Sequence, residues 1–341
     1  MVTIDLLFHC SGGSDGLDIT ERDPFRHSYL SQGGGSERGN YAVASIRRAI
    51  DMISNPETID MNLLVVPGIT HNPLTDYMIK TCEDRSDALA IIDIDGGFLP
   101  EAENADVEAL RFGSVDSTVN NIKARALNSS FGCCYYPWVK ILDADTSTPV
   151  WIPPSIVALG AMAFTQEKTQ VWFAPAGFNR GGLTQGNSGL RVIDVREKLV
   201  SKQRDKLYEV NINPIASFPS EGIVIFGQKT LQMVPSALDR INVRRMVLFL
   251  KKEISRISAG LLFEGNTEAT WARFIAQAKP LFEKVQSGFG IAEFKIVLDK
   301  STVTSEEIDR NLLFAKIFIR PIYAIEFIAI DFIITNTRCE F

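Results

Sequence analysis

The last third of the chain limits the possible folds more than any other part. It runs from Gly227-Gln-Lys-Thr-Leu231 through Ala237-Leu-Asp-Arg-Ile-Asn-Val-Arg-Arg245 to an apolar stretch at residues 325–334, with only residues 335–341 after it. The pattern predicts a strand, a long helix, a second helix and a set of strongly apolar strands. No catalytic constellation lies among them. An apolar terminal strand left open invites pairing by another chain. Assembly is therefore the first function to weigh, ahead of chemistry.

At 341 residues the chain exceeds one ordinary core and predicts two domains. A hydrophobic content of 45% with 22% charged residues places it among globular rather than disordered chains. No apolar run reaches the roughly 20 residues needed to span a bilayer; residues 321–334 come nearest, interrupted by Pro321, Glu326 and Asp331. The first eight residues lack the basic start and cleavage site of a signal peptide. They read as a strand entered in mid-fold, so the chain is expected to be a fragment of something longer. Cys10, Cys82, Cys133, Cys134 and Cys339 are odd in number and lack zinc-ligand spacing. They read as reduced structural thiols, which fits synthesis in a reducing compartment.

The net charge of −6 is unevenly spread: basic residues exceed acidic ones by three in residues 201–341 and fall short by nine in residues 1–200. Such asymmetry would let copies attract in one orientation and repel in another; ordinary drift in composition accounts for it equally well.

Residues 11–40 read as loop, through Gly12-Gly-Ser-Asp-Gly16 and Gln32-Gly-Gly-Gly-Ser36. Helices are predicted at 41–54, 73–85, 115–126 and 153–165, alternating with strands at 61–66, 88–94 and 133–141. That alternation predicts an α/β (mixed α+β) fold in which a mixed sheet is covered by helices. A polar helix is expected over 194–207 and a domain boundary near residue 200. The smaller second domain, also α/β, would hold a strand at 222–231, helices at 238–258 and 268–287, and strands at 294–298, 313–320 and 322–334. A short helix opening at residues 304–307 would lie between the first two of those strands. In the helix over 238–258, Val243, Val247, Leu250, Ile254 and Ile257 form one buried stripe. Arg245, Lys252 and Arg256 share another face, either solvated or in contact with an acidic partner.

Candidate chemistry is weak throughout. Gly12-Gly-Ser14-Asp-Gly16 fits the spelling of a nucleophile elbow, but no convincing helix follows it. Only His27 and His71 lie downstream as bases. Asp93-Ile-Asp-Gly96 lacks the spaced ligands of a calcium loop and reads as a strand end entering a turn. Gly33-Gly-Gly35 matches no phosphate-binding spacing. Three histidines (His9, His27, His71) without a metal motif imply no catalytic metal. Phe131, Tyr135, Tyr136 and Trp138 carry too little neighbouring positive charge for a nucleic-acid platform and read as core or interface aromatics. No cofactor, nucleic-acid or membrane site is expected.

Residues 222–335 resemble the C-terminal part of the tail sheath proteins of contractile-tailed bacteriophages. The resemblance is carried in series by Asn211-Ile-Asn-Pro214, Gly227-Gln-Lys-Thr-Leu231, Ala237 to Arg245, and Leu261-Leu-Phe-Glu-Gly-Asn266. It continues through Phe274 to Val285, Ile317-Phe-Ile-Arg-Pro321 and Tyr323-Ala-Ile-Glu-Phe327. Residues 1–200 fit more loosely, through Gly12 to Gly16 and Pro175-Ala-Gly-Phe-Asn-Arg-Gly181.

The resemblance implies a non-enzymatic structural subunit that polymerises as six-fold rings wound around an inner tube and contracts to drive that tube through a host envelope. It implies self-association, contact with tube, baseplate and tail terminator proteins, and a place in the virion after assembly in the host bacterial cytoplasm. Residues 1–200 would be the sheath core and residues 201–341 the tube-facing, subunit-linking domain. Family members carry an N-terminal segment, with an exchanged arm, ahead of the matched region. Candidate contact residues are Arg245, Lys252, Arg256, Ile325, Phe327, Ile330, Phe332 and Ile334. Two other readings stand beside this one: the sheath of a tailocin or contractile secretion system, and a serine hydrolase using Ser14.

Overall fold

Two short segments, Leu-Ala-Ile-Ile at 89–92 and Gly-Cys-Cys-Tyr-Tyr at 132–136, are buried at every position. Continuous burial of this kind marks strands covered on both faces, as in parallel sheets packed between helices. The computed structural model describes residues 41–96, 113–143, 147–299, 302–303 and 310–326. Within them α1 (Tyr41–Met52), β1 (Leu63–Val65), α2 (Asn72–Arg85), β2 (Leu89–Ile92), α3 (Val115–Arg125) and β3 (Gly132–Tyr136) alternate. After β4 (Val139–Leu142) and β5 (Pro149–Ile152) come α4 (Pro154–Lys168), the single turn α5 (Gly177–Arg180) and β6 (Val192–Val195). They are followed by α6 (Ser201–Glu209), β7 (Ile212–Phe218) and β8 (Gly222–Ile225), then α7 (Ile241–Ala259), α8 (Glu268–Ser287), β9 (Ile291–Val297) and β10 (Lys316–Pro321).

The main sheet has the order β1-β2-β3-β7-β8, parallel except for β8 at its edge. One face, with Ala90, Ile92, Cys134, Tyr136 and Ile212, packs against residues of α1, α2, α3 and α6 such as Ile50, Met78, Val119 and Leu207. The other face, with Leu89, Ile91, Cys133, Tyr135 and Ile215, meets Val157, Ala158, Ala161 and Met162 of α4 and Ile241 and Leu248 of α7. A three-stranded sheet, β5-β4-β6, adds Val139, Ile141, Val192 and Val195 to this side. The third cluster joins α7 and α8 to the two-stranded β9–β10 sheet around Trp271, Phe274, Phe282 and Ile291.

Local signals set most helix ends. Ser114 caps α3, its hydroxyl accepting from the Ser117 amide at 3.2 Å. Pro73 and Pro154 occupy first-turn positions, where a missing N–H costs little. At the start of α6 the Gln203 side chain accepts the Val200 amide at 2.9 Å.

Several expectations are corrected. The strand predicted over 133–141 is two strands, β3 and β4, with Pro137 between them. The helix predicted over 194–207 starts later, because Val192–Val195 is a strand paired with β4. The strand predicted over 222–231 ends at Ile225. Strand β7 was not foreseen; it contains Asn213 and Pro214, residue types that favour turns, yet Asn213 is fully buried. Its amide donates to the Cys134 carbonyl at 3.1 Å and the Lys229 carbonyl at 2.8 Å, and its oxygen accepts the Lys229 amide at 2.6 Å. A side chain so fully bonded is no cost to a buried strand.

The expected boundary near residue 200 would sever β3 from its hydrogen-bonded neighbour β7. The glycine-rich residues 175–189 ahead of it are likewise built into the sheet. Leu183 is buried and donates its amide to the Ile223 carbonyl, and the Ile225 amide donates to the Gly181 carbonyl. The change from one core to the next falls instead at α7, whose Ile241 and Leu248 serve the sheet and whose Val243, Met246 and Leu250 serve the third cluster. The helix at 304–307, Ser14 with its glycine loop, Gly33 to Gly35, His9, His27, Cys10 and Cys339 lie outside the described residues. Cys82, Cys133 and Cys134 are buried free thiols. Burial pushes Cys82 and Cys134 up to about 12, which makes them inert at neutral pH. Among the described residues no helix is long and apolar enough to cross a membrane.

Two stability predictions follow from this packing. Gly160 lies mid-helix in α4 against the Ser188 backbone, so a Cβ would overlap that carbonyl, 2.7 Å from its carbon. Alanine gains about 1 kcal/mol of helix propensity, but overpacking against backbone costs about 1–3 kcal/mol. Gly160→Ala is thus expected to lower the urea midpoint; a raised midpoint would show that the contact yields easily.

Asp93, just past β2, accepts the Gly68 amide at 2.8 Å, the Ser155 amide at 3.2 Å and the Ser155 hydroxyl at 2.6 Å. Burial nevertheless raises its carboxyl to about 6, the three hydrogen bonds offsetting only part of the shift. The folded state thus keeps a proton that the unfolded chain sheds near pH 4, and stability from this group falls as pH rises from about 4 to about 6. The stability difference between wild type and Asp93→Asn, followed by urea titration, should shrink over that window. A difference independent of pH would refute the assignment.

Candidate assembly surface

Helix α7 carries the basic residues singled out in the sequence, and the structure sorts them by depth. Arg245 is 3% exposed. Its guanidinium donates to the Met162 carbonyl at 3.3 Å and to Gln166 Oε1 at 2.9 Å, both on α4, and burial lowers it to about 10. It therefore lies deeper than the other two. A planar guanidinium can satisfy its donors on backbone and amide oxygens without a carboxylate. Lys252 pairs with Asp60 and donates to the Met61 carbonyl at 3.2 Å. Arg256 pairs with Asp60 at 3.3 Å and with Glu253 at 2.5 Å. All three still line one cavity of about 370 Å³, between α7 and residues 60–62, with Arg245 on its floor.

The neighbouring Arg244 was not singled out. It donates to the Ser130 carbonyl at 3.2 Å and to the Ser130 hydroxyl, and its guanidinium lies 3.7 Å from the Phe131 ring centroid. Asn242 donates to the Trp172 carbonyl at 3.3 Å, while the Trp172 indole donates to the Gly288 carbonyl at 2.7 Å. The polar residues Asn242, Arg244 and Arg245 thus bind α7 to Trp172, to residues 130–131 ahead of β3, and to α4 at once. Lys252 and Arg256, about two and three turns further on, lie nearer the surface.

The second surface is the β9–β10 sheet. Its inner face, with Phe294, Ile296, Ile317 and Ile319, packs on α8; Phe294 stacks on Phe282 with ring centroids 5.3 Å apart. The outer face carries Arg320 paired with Glu293 across the strands at 2.9 Å, and Phe318, which is 57% exposed. Neither outer edge of this pair is hydrogen-bonded to a further strand among the described residues. Two-stranded ribbons are marginal alone, and open edges are templates for further strands. Beyond β10, residues 322–326 run without strand pairing, and Ile325 is 83% exposed. Phe327, Ile330, Phe332 and Ile334 lie outside the described residues.

Residues 234–335 match the family model described as the phage tail sheath C-terminal domain. The chain is 29% identical to the tail sheath protein of Vibrio phage KVP40 over 100% of its own length and 51% of that protein. It is 28% identical to the tail sheath protein of Enterobacteria phage T4, over 98% of its length and 51% of that relative. The chain therefore spans about half the length of these curated relatives.

Among solved structures, a chain of the anti-feeding prophage baseplate superposes with a TM-score of 0.65 at 20% identity, covering 94% of this chain and 82% of that one. A chain of the sheath complex of PVC, an extracellular contractile injection system, in its contracted state gives 0.65 at 22% identity, covering 89% and 83%. At that identity these two establish the fold, a mixed α/β architecture shared with contractile assemblies. Residues 234–335 are thus similar to the phage tail sheath C-terminal domain, and the whole chain is similar to about half of the tail sheath proteins of Vibrio phage KVP40 and Enterobacteria phage T4.

Proposed function

We propose that this chain is the core and C-terminal part of a subunit of a contractile phage tail sheath. Copies polymerise around an inner tube and shorten to drive it through the host envelope. The observation that carries the reading is the β9–β10 sheet: two strands whose outer edges pair with no further strand among the described residues, with Phe318 exposed on the outer face, in the region matched to the sheath family. Strand addition by a neighbour would complete it, main chain to main chain. The apolar segment from Ile325 through Phe327, Ile330, Phe332 and Ile334 supplies the chemistry for such a strand.

The remaining roles follow from that reading. The subunit is structural rather than enzymatic, and its work comes from conformational energy stored at assembly, released as rigid bodies slide past one another. Its place is the virion tail, with tube, baseplate and terminator proteins as neighbours. Lys252 and Arg256 belong to the tube-facing or neighbour-facing side, although Asp60 already neutralises part of their charge. Exposed pairs of this kind contribute about 0–1 kcal/mol each, so they tune assembly rather than drive it.

The full-length parent protein should form regular tubular polysheaths under the electron microscope, while this chain alone stays mostly monomeric by sedimentation. Deleting residues 327–341 from the parent should abolish regular tubes and leave its thermal midpoint within a few degrees. Regular tubes from the deleted protein would overturn the strand-addition reading.

A further inference from the structure

Arg240 stands at the N-cap of α7, a 19-residue helix. A cation at a helix N-terminus faces the positive end of the macrodipole and is unfavourable there. Two carboxylates offset this. Asp239 lies 3.1 Å from the guanidinium, and Glu326 engages it side by side, Nε to Oε1 at 2.6 Å and Nη2 to Oε2 at 3.0 Å. Glu326 also accepts from the Gln228 amide at 3.3 Å. The pair is largely enclosed, with Arg240 and Glu326 side chains 22% and 16% exposed. The negative charge is felt next door: the Tyr208 phenol is pushed up, first by burial and then by Glu326.

The contrast with the preceding residues is what gives the pair meaning. After β10 the Ile322 amide still donates to the Gly290 carbonyl. Tyr323 and Ile325 then point outward, 58% and 83% exposed. The chain thus crosses open surface and is re-attached at one carboxylate, on the strand-to-helix connection where Lys229 and Arg240 form an antiparallel bridge.

We propose that the Arg240–Glu326 pair is the anchor that fixes the path of residues 322–326 on the subunit, and with it the point from which the chain continues. Arg240 and Glu326 are then positioning residues for pairing between copies of this chain. This rests on the sheath reading above. A one-residue slip of an added strand turns every side chain to the opposite face, so strand addition needs a fixed starting point. An apolar contact slides; a two-point guanidinium–carboxylate contact does not. The anchor sits on the connection that leads into α7, so whatever moves α7 moves the root of the terminal segment with it.

The test uses nitroxide labels at Ala324→Cys and Ser255→Cys in the 341-residue chain, with Cys10 and Cys339 replaced by serine. Position 255 lies about 20 Å along α7 from Arg240 at a rise of 1.5 Å per residue, within range of pulsed dipolar spectroscopy. A single narrow distance peak is expected in the parent. It should be lost in Glu326→Gln and in Arg240→Gln, and the double variant should be no broader than either. Circular dichroism on Glu326→Gln separates a freed segment from an unfolded domain. A narrow peak that survives Glu326→Gln with the fold intact overturns the anchor.

In the full-length protein, Glu326→Gln should yield fewer or irregular tubes where the parent yields regular ones. Equally regular tubes from the variant would overturn its role in pairing. If the full-length parent itself forms no tubes, the sheath reading fails while the distance measurement still decides the anchor.

Discussion

Among the described residues, the first turns of α7 form the joint between the main sheet and the third cluster, and that joint is polar. Asn242, Arg244 and Arg245 are all buried, and each side chain reaches a different part of the molecule: residue 172, residues 130–131, and α4. Buried guanidinium groups are costly unless their donors are met. Here carbonyl oxygens, an amide and an aromatic face meet them, and the cost becomes directional. An apolar helix could settle in several rotations on such a surface. One with two adjacent arginines pointing to opposite partners has a single fit.

That joint shapes what can move. With α7 shared between the sheet core and the third cluster, and Trp172 inserted beside Gly288 and Gly290, the described parts of the chain behave as one interlocked unit. Under the sheath function proposed above, large relative motion would then reside between copies rather than within this region. A contractile lattice requires that arrangement: rigid bodies that change neighbours' contacts, joined by segments that stay attached. The open β9–β10 pair is where such attachment has chemistry available to it.

Much of this was legible in the residues, and the failures have physical causes. Period-3.6 apolar spacing located α7 and α8 closely, α8 to the residue, and continuous apolar runs located β2 and the first half of β3–β4. Strand β7 was hidden because Asn213 and Pro214 look like punctuation; only the partners Cys134 and Lys229, 79 and 16 positions away in sequence, reveal that Asn213 is a structural crosslink. The boundary near residue 200 was drawn for a related reason: glycine-rich residues 175–189 suggest a linker, whereas their backbone pairs with β8. Arg245 was grouped with Lys252 and Arg256 because helix periodicity gives the angle of a side chain about the axis. It says nothing of how deep the neighbouring element lies.

Depth also separates the two kinds of charge on this helix. The arginines near its start are spent inside the subunit, and Arg240 is spent on the terminal segment. Those further along meet Asp60 at the rim, where screening by salt is effective. Lattice contacts that must break and re-form together need weak, screened interactions; a joint that must survive contraction needs buried ones. The sequence of α7 runs from the second kind to the first over about four turns. A charge reversal near its start therefore strikes buried hydrogen bonds of the core, whereas one near its end strikes only exposed pairs with Asp60.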